Sequence, residues 1–302
     1  MDPFVPYVPD DFDEFWERTS NEARAQPLDY HRSMHNDFEL PGFAVERVAF
    51  RGMFGARLEG WIAAPEGIRK SPAFLWIPPY GRESLLPNQY GTRTGFVSMS
   101  FNFFGHEAFH QERYVKERGY FAEGAGSPET WIFRTMIQNA LIAVRVLQSQ
   151  IEVDEDRIGA MGMSQGGGMS IWLGALSPVV QVVCADMPFL GAMHYALTRN
   201  AYRYPLKELI DFMDTIPVGR ETVLNTVSYF DTMNMATRCS KATQLSLGHK
   251  DPATRPDAVK AIFNALPGAK RLIEYDWGHD WHPDMVENNR SWLLDQLPSP
   301  AI

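Results

Sequence analysis

The sequence predicts an α/β fold in which a mostly parallel central sheet is flanked by helices. Three observations lead to this prediction. Short apolar segments typical of buried strands alternate with longer segments of helical periodicity, which favours a parallel sheet. One strand stops abruptly at a serine held between glycines and is followed at once by a helix. The alternation then lapses over residues 190–239 and resumes at residue 242, which indicates a helical insertion before the strand there.

The N-terminal part of the chain is expected to add a helix and a hairpin to this sheet. In residues 10–26, Phe12 and Trp16 lie about one helical turn apart, so this segment should form a helix that packs by an aromatic face. Residues 45–50 and 57–63 alternate in strand fashion on either side of two glycines. This pattern predicts an antiparallel hairpin at the edge of the sheet.

The later elements follow from apolar runs bounded by glycine, proline or acidic residues. We expect strands over residues 73–77, 96–103, 157–163, 179–185, 242–247 and 271–275. Besides the helix after the serine, we expect helices over residues 128–150, 256–266 and 283–297. Residues 111–127 have the composition of a loop, and Ser127 is suited to cap the helix after it. The acidic residues 154–156 should turn the chain into the strand that leads to the serine.

Length and composition bound the organisation of the chain. Its 302 residues fit one α/β domain with an insertion. We therefore expect a single domain over residues 1–302, with the N-terminal helix and hairpin in residues 10–65. The helical insertion should form a cap-like unit over about residues 190–240. A hydrophobic content of 45% and a charged content of 22% are typical of a soluble globular protein.

Charge and cysteine content argue against several classes of function. A net charge of −9 disfavours a nucleic-acid partner, because phosphate binding needs a concentrated basic surface. The N-terminus lacks the positive start and apolar core of a secretory signal, and no run approaches the roughly eighteen apolar residues that span a bilayer. With only Cys184 and Cys239, a disulfide framework is not expected. We therefore expect reduced thiols in a cytoplasmic protein without a membrane partner.

The segment Gly162-Met163-Ser164-Gln165-Gly166 has the pattern G-x-S-x-G. Between a strand and a helix, this pattern is the nucleophile elbow of the α/β-hydrolase fold. The serine must occupy a strained turn to present its hydroxyl above the sheet, and flanking side chains would collide there, which explains the glycines. The alternative is a flexible glycine loop with a surface serine, and the strand before and the helix after argue against it.

A serine hydroxyl needs a general base, and the base needs an acid that orients it. In the α/β-hydrolase fold the acid and then the histidine follow later strands. Asp251 follows a late strand, and His279 follows the last one. His249 and His282 are competing bases, but His249 precedes the acid and His282 lies in the approach to the terminal helix. We therefore favour His279.

Two other arrangements of these residues are weighed against this one. Asp276 is a competing acid, but it lies on the same loop as His279, so we favour Asp251. A zinc site is the second alternative, because such residues can ligate the metal. Its ligands would be His279, Asp280, His282 and Asp284. This set has no clear further ligand elsewhere in the chain, so no metal is expected.

An oxyanion forms when a serine attacks an ester, and two backbone N–H groups usually stabilise it. One donor belongs to the residue after the nucleophile, which is Gln165 here. The other belongs to a loop after an early strand. Tyr80 follows the strand at residues 73–77 and two prolines, so it occupies this second position.

Together these residues resemble the family-7 carbohydrate esterases, which include acetyl xylan esterases and cephalosporin C deacetylases. The resemblance runs through nearly the whole chain and includes an N-terminal helix, an oxyanion-loop tyrosine, a G-x-S-Q-G-G elbow, and the loops of the acid and the histidine. The similar segments are residues 11–17, 79–81, 162–167, 186–190, 228–231, 248–251 and 278–280.

The resemblance implies hydrolysis of acetyl esters on small carbohydrate or cephalosporin-like substrates, without a metal or other cofactor. It implies that Ser164, Asp251 and His279 form the catalytic triad, with Tyr80 and Gln165 as the oxyanion-hole donors. Members of this family are typically cytoplasmic and often form hexamers, in which pairs of dimers enclose a chamber that excludes polymers. A homo-oligomer is therefore expected.

The chain departs from the family pattern at three places. Phe104-Gly105-His106 stands where the family has Arg-Gly-Gln, so the family's arginine is absent. The glycine pair after the oxyanion tyrosine is Gly81-Arg82, and the glutamate after the histidine is Asp280. None of these changes touches the triad. They bear on substrate preference, because Phe104, His106 and Arg82 are placed to reshape the pocket or the subunit contacts.

Three functional hypotheses follow from the sequence. The leading one is a serine esterase that acts on acetyl groups. The second, motivated by the lost arginine, is an esterase or lactonase for a different acyl group. The third is a non-catalytic binding scaffold, which the presence of all three triad residues disfavours. The roles of His106, Arg82, His194 and Arg199 stay open, with a surface or structural role as the default.

Overall fold

A computed structural model describes residues 7–35, 38–67, 70–81, 86–105, 107–110, 119–198, 203–215 and 219–297. Its strands are β1 (Tyr30–Met34), β2 (Phe43–Arg51), β3 (Arg57–Pro65), β4 (Ser71–Ile77), β5 (Val97–Phe101), β6 (Val153–Met163), β7 (Val180–Asp186), β8 (Ala242–Gly248) and β9 (Lys270–Tyr275). Its helices are α1 (Phe12–Ala25), α2 (Ile132–Gln148), α3 (Gln165–Leu176), α4 (Met193–Thr198), α5 (Leu206–Thr215), α6 (Gly219–Tyr229), α7 (Thr232–Ala236), α8 (Pro256–Ala265) and α9 (Met285–Gln296).

The nine strands of the described residues form one sheet in the order β1-β2-β3-β5-β4-β6-β7-β8-β9. From β5 to β9 every neighbouring pair is parallel, whereas β1, β2 and β3 join this part by antiparallel pairing. The predicted α/β-hydrolase fold, with a mostly parallel sheet flanked by helices, is therefore confirmed.

The prediction that the hairpin forms the edge of the sheet is wrong in one respect. The hairpin exists as β2 and β3, but β1 pairs with β2 and forms the edge instead. Four of the five residues of β1 are exposed, so the strand has no buried face. The alternation of apolar and polar residues that marks a half-buried strand is consequently missing from its sequence.

Two predicted boundaries also differ from the structure. Helix α2 begins at Ile132 rather than at residue 128, and Ser127 does not cap it. The Ser127 hydroxyl instead accepts the N–H of Glu129 in the turn that precedes the helix. The acidic residues 154–156 lie inside β6, at the point where its pairing with β4 shifts register.

Both faces of the sheet are covered by helices. Along β4 the residues Ala73, Leu75 and Ile77 pack into the large apolar cluster that includes α2, α3 and α8. The alternate residues Phe74 and Trp76 pack into a second cluster, which includes side chains of α9. Because successive side chains point to opposite faces, a strand covered on both sides is apolar throughout. This explains the continuous apolar run that predicted β4.

The N-terminal helix α1 packs by the predicted aromatic face. Trp16 is 2% exposed, and its ring lies 5.1 Å from that of Phe230 and 6.0 Å from that of Trp172. Its indole N–H donates a hydrogen bond of 2.8 Å to the carbonyl of Tyr229. Helix α1 is therefore bound to the elbow helix α3 and to the end of α6.

The predicted helical insertion consists of α4 to α7. A buried carboxylate, that of Asp231, joins its first and last helices: it accepts the N–H groups of Ala192 and Met193 at the start of α4 and that of Met233 in α7. Burial raises the pKa of Asp231 to about 6, although the three N–H donors oppose the shift. Within the ranges that the structure describes, every helix is too short or too polar to cross a bilayer.

The topology places the carboxyl ends of the central strands side by side. Ile77 at the end of β4 pairs with Gly162 near the end of β6, and Met163 pairs with Asp186 at the end of β7. Strands β8 and β9 continue the same parallel order. In open α/β sheets such as this one, ligands bind at the carboxyl ends of the strands. A ligand-binding site is therefore expected among the residues that follow these strands.

Candidate active site

Ser164 lies in a strained turn between β6 and α3, as the elbow pattern predicts. Its φ of 57° lies in the left-handed region, which residues with a side chain rarely occupy. Hydrogen bonds hold the backbone there: its N–H donates to the carbonyl of Asp186 (2.9 Å), and its own carbonyl accepts the N–H groups of Phe189 (2.8 Å) and Gly168 (3.0 Å). The strain is thus balanced by contacts with the end of β7.

The two glycines that flank the elbow are required by close packing. A Cβ atom on Gly162 would lie 2.5 Å from the carbonyl carbon of Gly166, and one on Gly166 would overlap the carbonyl oxygen of Ile77. Helix α3 therefore starts directly against the end of β4. Any larger residue at either position would separate the serine from the neighbouring strand.

The structure brings the three predicted triad residues together. The Nε2 atom of His279 lies 3.0 Å from the hydroxyl of Ser164, and its Nδ1 atom lies 2.6 Å from a carboxylate oxygen of Asp251. Ser164 is 7% exposed, Asp251 is 4% exposed, and the side chain of His279 is 24% exposed. The group is shielded from bulk water but open enough on the histidine side for a ligand to enter.

Asp251 is held as a carboxylate by several donors. One oxygen accepts the N–H groups of Ala253 (2.7 Å) and Thr254 (2.9 Å), and the other accepts the hydroxyl of Thr254 (2.6 Å). Burial by itself raises the pKa of Asp251, but the hydrogen bonds from His279 and Thr254 outweigh it and hold the pKa below its ordinary value. An ionised Asp251 accepts the Nδ1 proton of His279, which leaves Nε2 free to accept the proton of Ser164.

Thr254 is a functional residue that was not predicted from the sequence. The sequence does contain a pattern that indicates its role, because an aspartate often accepts hydrogen bonds from the residues two or three positions after it. The hydroxyl and N–H of Thr254 both follow this geometry. The residue therefore completes the set of donors that keeps Asp251 in place.

The competing acid and bases have other partners. His249 Nε2 lies 3.0 Å from a carboxylate oxygen of Glu274, and the ring of His282 stacks on that of Tyr275 at 4.2 Å. Asp276 is paired with Lys250 at 2.7 Å. Of these candidates, only His279 is hydrogen-bonded to Ser164 and only Asp251 to His279, which is the arrangement that the sequence favours.

The zinc alternative receives no support from the geometry. In the part of the chain that the structure describes, no three histidine, cysteine, aspartate or glutamate side chains form a group that could hold a metal ion. The two cysteines, Cys184 and Cys239, are free and buried. Burial raises the pKa of each thiol, so neither is a reactive thiolate near neutral pH.

The two predicted oxyanion donors lie at adjacent strand ends. Gln165 is the first residue of α3, so its N–H has no acceptor within the helix. Tyr80 follows β4, which pairs with β6 directly before the elbow. The Gln165 side chain accepts a hydrogen bond of 2.9 Å from the hydroxyl of Tyr120. The oxyanion-donor assignment of Tyr80 and Gln165 is therefore consistent with the order of the elements around Ser164.

A cavity of about 410 Å³ lies beside the acid loop, between that loop and the helical insertion. Its lining includes Phe189, Tyr195, Tyr204 and Thr254. Two of these residues border the triad, since Phe189 is hydrogen-bonded to Ser164 and Thr254 to Asp251. The cavity is therefore a space of suitable size for part of a small ligand.

The residues left open by our sequence analysis fall into two groups. Arg82, His106 and Arg199 lie outside the described residues. The ring of His194 lies 5.9 Å from that of Tyr7, and burial lowers its pKa, which favours a neutral side chain in a structural role. Phe104, where the family resemblance leads us to expect an arginine, packs its ring 4.6 Å from that of Tyr120. The substitution thus places an apolar contact against a residue that touches Gln165.

Comparison with known proteins identifies related chains. A family model described as acetyl xylan esterase (AXE1) matches residues 5–295. The acetyl esterase Axe7A of Xylanibacter ruminicola is 22% identical over 306 residues, which cover 97% of this chain and 69% of that protein. The match to the family model spans every strand, so it includes the whole site.

Two solved structures share the fold over nearly their full length. The acetyl xylan esterase from Paenibacillus sp. R4 has a TM-score of 0.87 at 24% identity, and the match covers 97% of this chain and 98% of that chain. Acetyl xylan esterase 1 from Thermoanaerobacterium sp. JW/SL YS485 has a TM-score of 0.86 at 25% identity, and the match covers 98% of this chain and 96% of that chain.

The geometry predicts that Ser164 reacts with a fluorophosphonate and that this reaction needs His279. We expect His279→Ala to slow the labelling by about 10²- to 10⁴-fold, because a positioned general base contributes this much. His282→Ala is the matched control, since that ring stacks on Tyr275 instead. Labelling rates followed by intact mass, with the adduct located by peptide mapping, check the prediction. Equal rates for wild type and His279→Ala, or an adduct at another residue, would contradict it.

Proposed function

Because the chain belongs to the acetyl xylan esterase (AXE1) family, whose model matches residues 5–295, we propose that it is a serine esterase that removes acetyl groups from small carbohydrate esters. The observation that carries the proposal is the continuous hydrogen-bonded series from Asp251 through His279 to Ser164. Such a series makes a serine hydroxyl nucleophilic near neutral pH. Membership of the family makes the chain a carboxylic ester hydrolase.

In the first half-reaction the acetyl group moves to the enzyme. The Nε2 atom of His279 takes the proton of Ser164, and the serine oxygen attacks the carbonyl carbon of the ester. The backbone N–H groups of Tyr80 and Gln165 stabilise the oxyanion of the tetrahedral intermediate, and losing one such donor typically costs about 3 kcal/mol. His279 then gives its proton to the leaving alcohol oxygen, and the acetyl group stays on Ser164.

In the second half-reaction water releases the acetyl group. His279 takes a proton from the water molecule, whose oxygen attacks the carbonyl carbon of acetyl-Ser164. The same two N–H groups bind the second oxyanion. His279 returns the proton to the oxygen of Ser164 as acetate leaves. Throughout both steps the ionised Asp251 holds the imidazole in place and stabilises its cation.

The cavity beside the acid loop supports a small alcohol group on the substrate. Its lining combines aromatic residues with Arg203 and Arg255, which suits a sugar or another compact polar ring. Cephalosporin-like acetyl esters are included in the proposal on the same ground. The cavity, with a volume of about 410 Å³, is too small for a long polymer segment.

We expect Ser164→Ala to lower kcat for an acetyl ester such as 4-nitrophenyl acetate by about 10⁴-fold or more, because removing the nucleophile of a triad has an effect of this order. Acetylated xylose and cephalosporin C serve as further substrates. The folded fraction of the variant is checked by its circular dichroism spectrum. Equal turnover in wild type and Ser164→Ala would refute the proposed mechanism.

A different acyl preference is the second candidate, and Phe104 is the observation that favours it. An aromatic ring stands where the family has arginine, and it packs on Tyr120 near the oxyanion donors. We nevertheless expect 4-nitrophenyl acetate to give the highest kcat/KM in a series from acetyl to octanoyl. A maximum well above acetyl would contradict this expectation and would favour the alternative esterase.

We also propose that the protein is a homo-oligomer, with a hexamer as the expected form. Exposed apolar residues support this proposal, because Phe54 is 82% exposed and Met34, on the edge strand β1, is 77% exposed. An exposed sheet edge also offers unpaired backbone groups to a second chain. Light scattering coupled to size-exclusion chromatography measures the mass. A single species near the chain mass of 34.3 kDa would contradict the proposal.

We further propose a cytoplasmic location. The free, buried state of Cys184 and Cys239 supports it, since reduced thiols are usual in that compartment. Fractionation of cells that produce the protein, followed by immunodetection, is the corresponding measurement. Recovery of most of the protein from the culture medium or a membrane fraction would contradict this location.

A further inference from the structure

A carboxylate from the helical insertion reaches the oxyanion loop. The hydroxyl of Tyr80 donates a hydrogen bond to Oε1 of Glu208, a residue of α5 that lies 128 positions later in the chain. The second oxygen of Glu208 accepts the N–H of Phe121 at 2.9 Å. All three groups are partly shielded from water. One side chain therefore joins the insertion, the oxyanion loop and the segment before α2.

That segment, residues 119–121, also contacts the second oxyanion donor. The ring of Tyr120 lies 5.0 Å from that of Tyr80, and its hydroxyl donates a hydrogen bond of 2.9 Å to the side chain of Gln165. The same hydroxyl accepts the N–H of Gly81 at 3.4 Å. The side chains of Tyr80 and Gln165, the two residues assigned as oxyanion donors, thus both contact Tyr120.

Gly119 provides an independent indication that the pair matters. A Cβ atom on this residue would overlap both Oε1 of Glu208 and the hydroxyl of Tyr80. A methyl group at position 119 would therefore force the two oxygens to move. Its φ does not lie in the left-handed region, so backbone conformation does not explain the glycine.

We propose that Glu208 is a positioning residue for the oxyanion hole, which it serves by fixing the side chain of Tyr80 and thereby the direction of its backbone N–H. This inference rests on the proposed function. The N–H must point at a charge that exists only in the transition state, and a donor that is already oriented needs no rearrangement at that moment. A carboxylate is suited to this task because hydrogen bonds to a charged acceptor are shorter and stronger than those between neutral groups.

The proposal predicts a loss of turnover without a loss of substrate binding. We expect Glu208→Gln and Tyr80→Phe each to lower kcat for 4-nitrophenyl acetate by about 10- to 100-fold, because displacements of about 1 Å have effects of this size. KM should stay within about twofold. The double variant should be no slower than the slower single variant, since both changes remove the same hydrogen bond. Gly119→Ala should reproduce the effect.

Asp211→Asn is the matched control. This carboxylate belongs to the same helix, is paired with Lys207 and is 52% exposed, so its loss should leave kcat unchanged. Two readouts separate positioning from folding. The end point of fluorophosphonate labelling gives the fraction of intact sites. The affinity for a boronic acid, which forms a tetrahedral adduct on the serine, should fall in parallel with kcat.

The outcomes distinguish this proposal from the one on which it rests. A wild-type protein without acetyl esterase activity would overturn the proposed function, and the role of Glu208 with it. An active wild type with unchanged kcat in Glu208→Gln would overturn the role of Glu208 alone. So would a rise in KM at constant kcat, additive losses in the double variant, or a loss of activity that matches the loss of labelled sites.

Discussion

The hydrogen bond of 2.6 Å between Nδ1 of His279 and Asp251 is the interaction on which the site depends. It turns the imidazole so that Nε2 faces the hydroxyl of Ser164, and it gives the cation that forms during turnover a permanent counter-charge. Asp251 supplies this charge because Thr254 and two backbone N–H groups keep it ionised in a buried place. A buried carboxylate with fewer donors would be protonated more readily, and it would then hold the histidine less firmly.

The close packing of α3 against the end of β4 is a second constraint on Ser164. Ser164 has a positive φ because α3 must start where β6 ends, directly against the carbonyl of Ile77. Gln165, whose N–H is the proposed oxyanion donor, is the first residue of this helix. The strained serine, the two glycines and the oxyanion donor are therefore consequences of one packing contact between a strand and a helix. The hydrogen bonds of Ser164 to residues at the end of β7 stabilise the strained backbone.

The helical insertion contributes to the site from outside the sheet. Its α5 helix carries Glu208 to Tyr80, and Met193 at the start of its α4 helix lines the cavity. Asp231 links the two ends of the insertion through three buried N–H groups. The insertion is thus held together by Asp231 and bound to the oxyanion loop by Glu208, so a change in its packing would act on Tyr80 through this hydrogen bond.

Much of this arrangement could be predicted from the sequence, because it depends on local patterns. Gly162, Ser164 and Gly166 specify the elbow by themselves, and the order of strands determines which loops carry Asp251 and His279. The exposed edge strand β1 could not be predicted, since a strand without a buried face has no apolar alternation. The start of α2 was misplaced because Ser127 caps a turn and not the helix. No sequence pattern indicated the role of Glu208. Its contact with Tyr80 joins residues 128 positions apart, and only the packing of α5 against the oxyanion loop brings them together. The sequence by itself therefore determined the fold and the identity of the reacting groups, whereas the tertiary structure decided which distant side chains hold those groups in position.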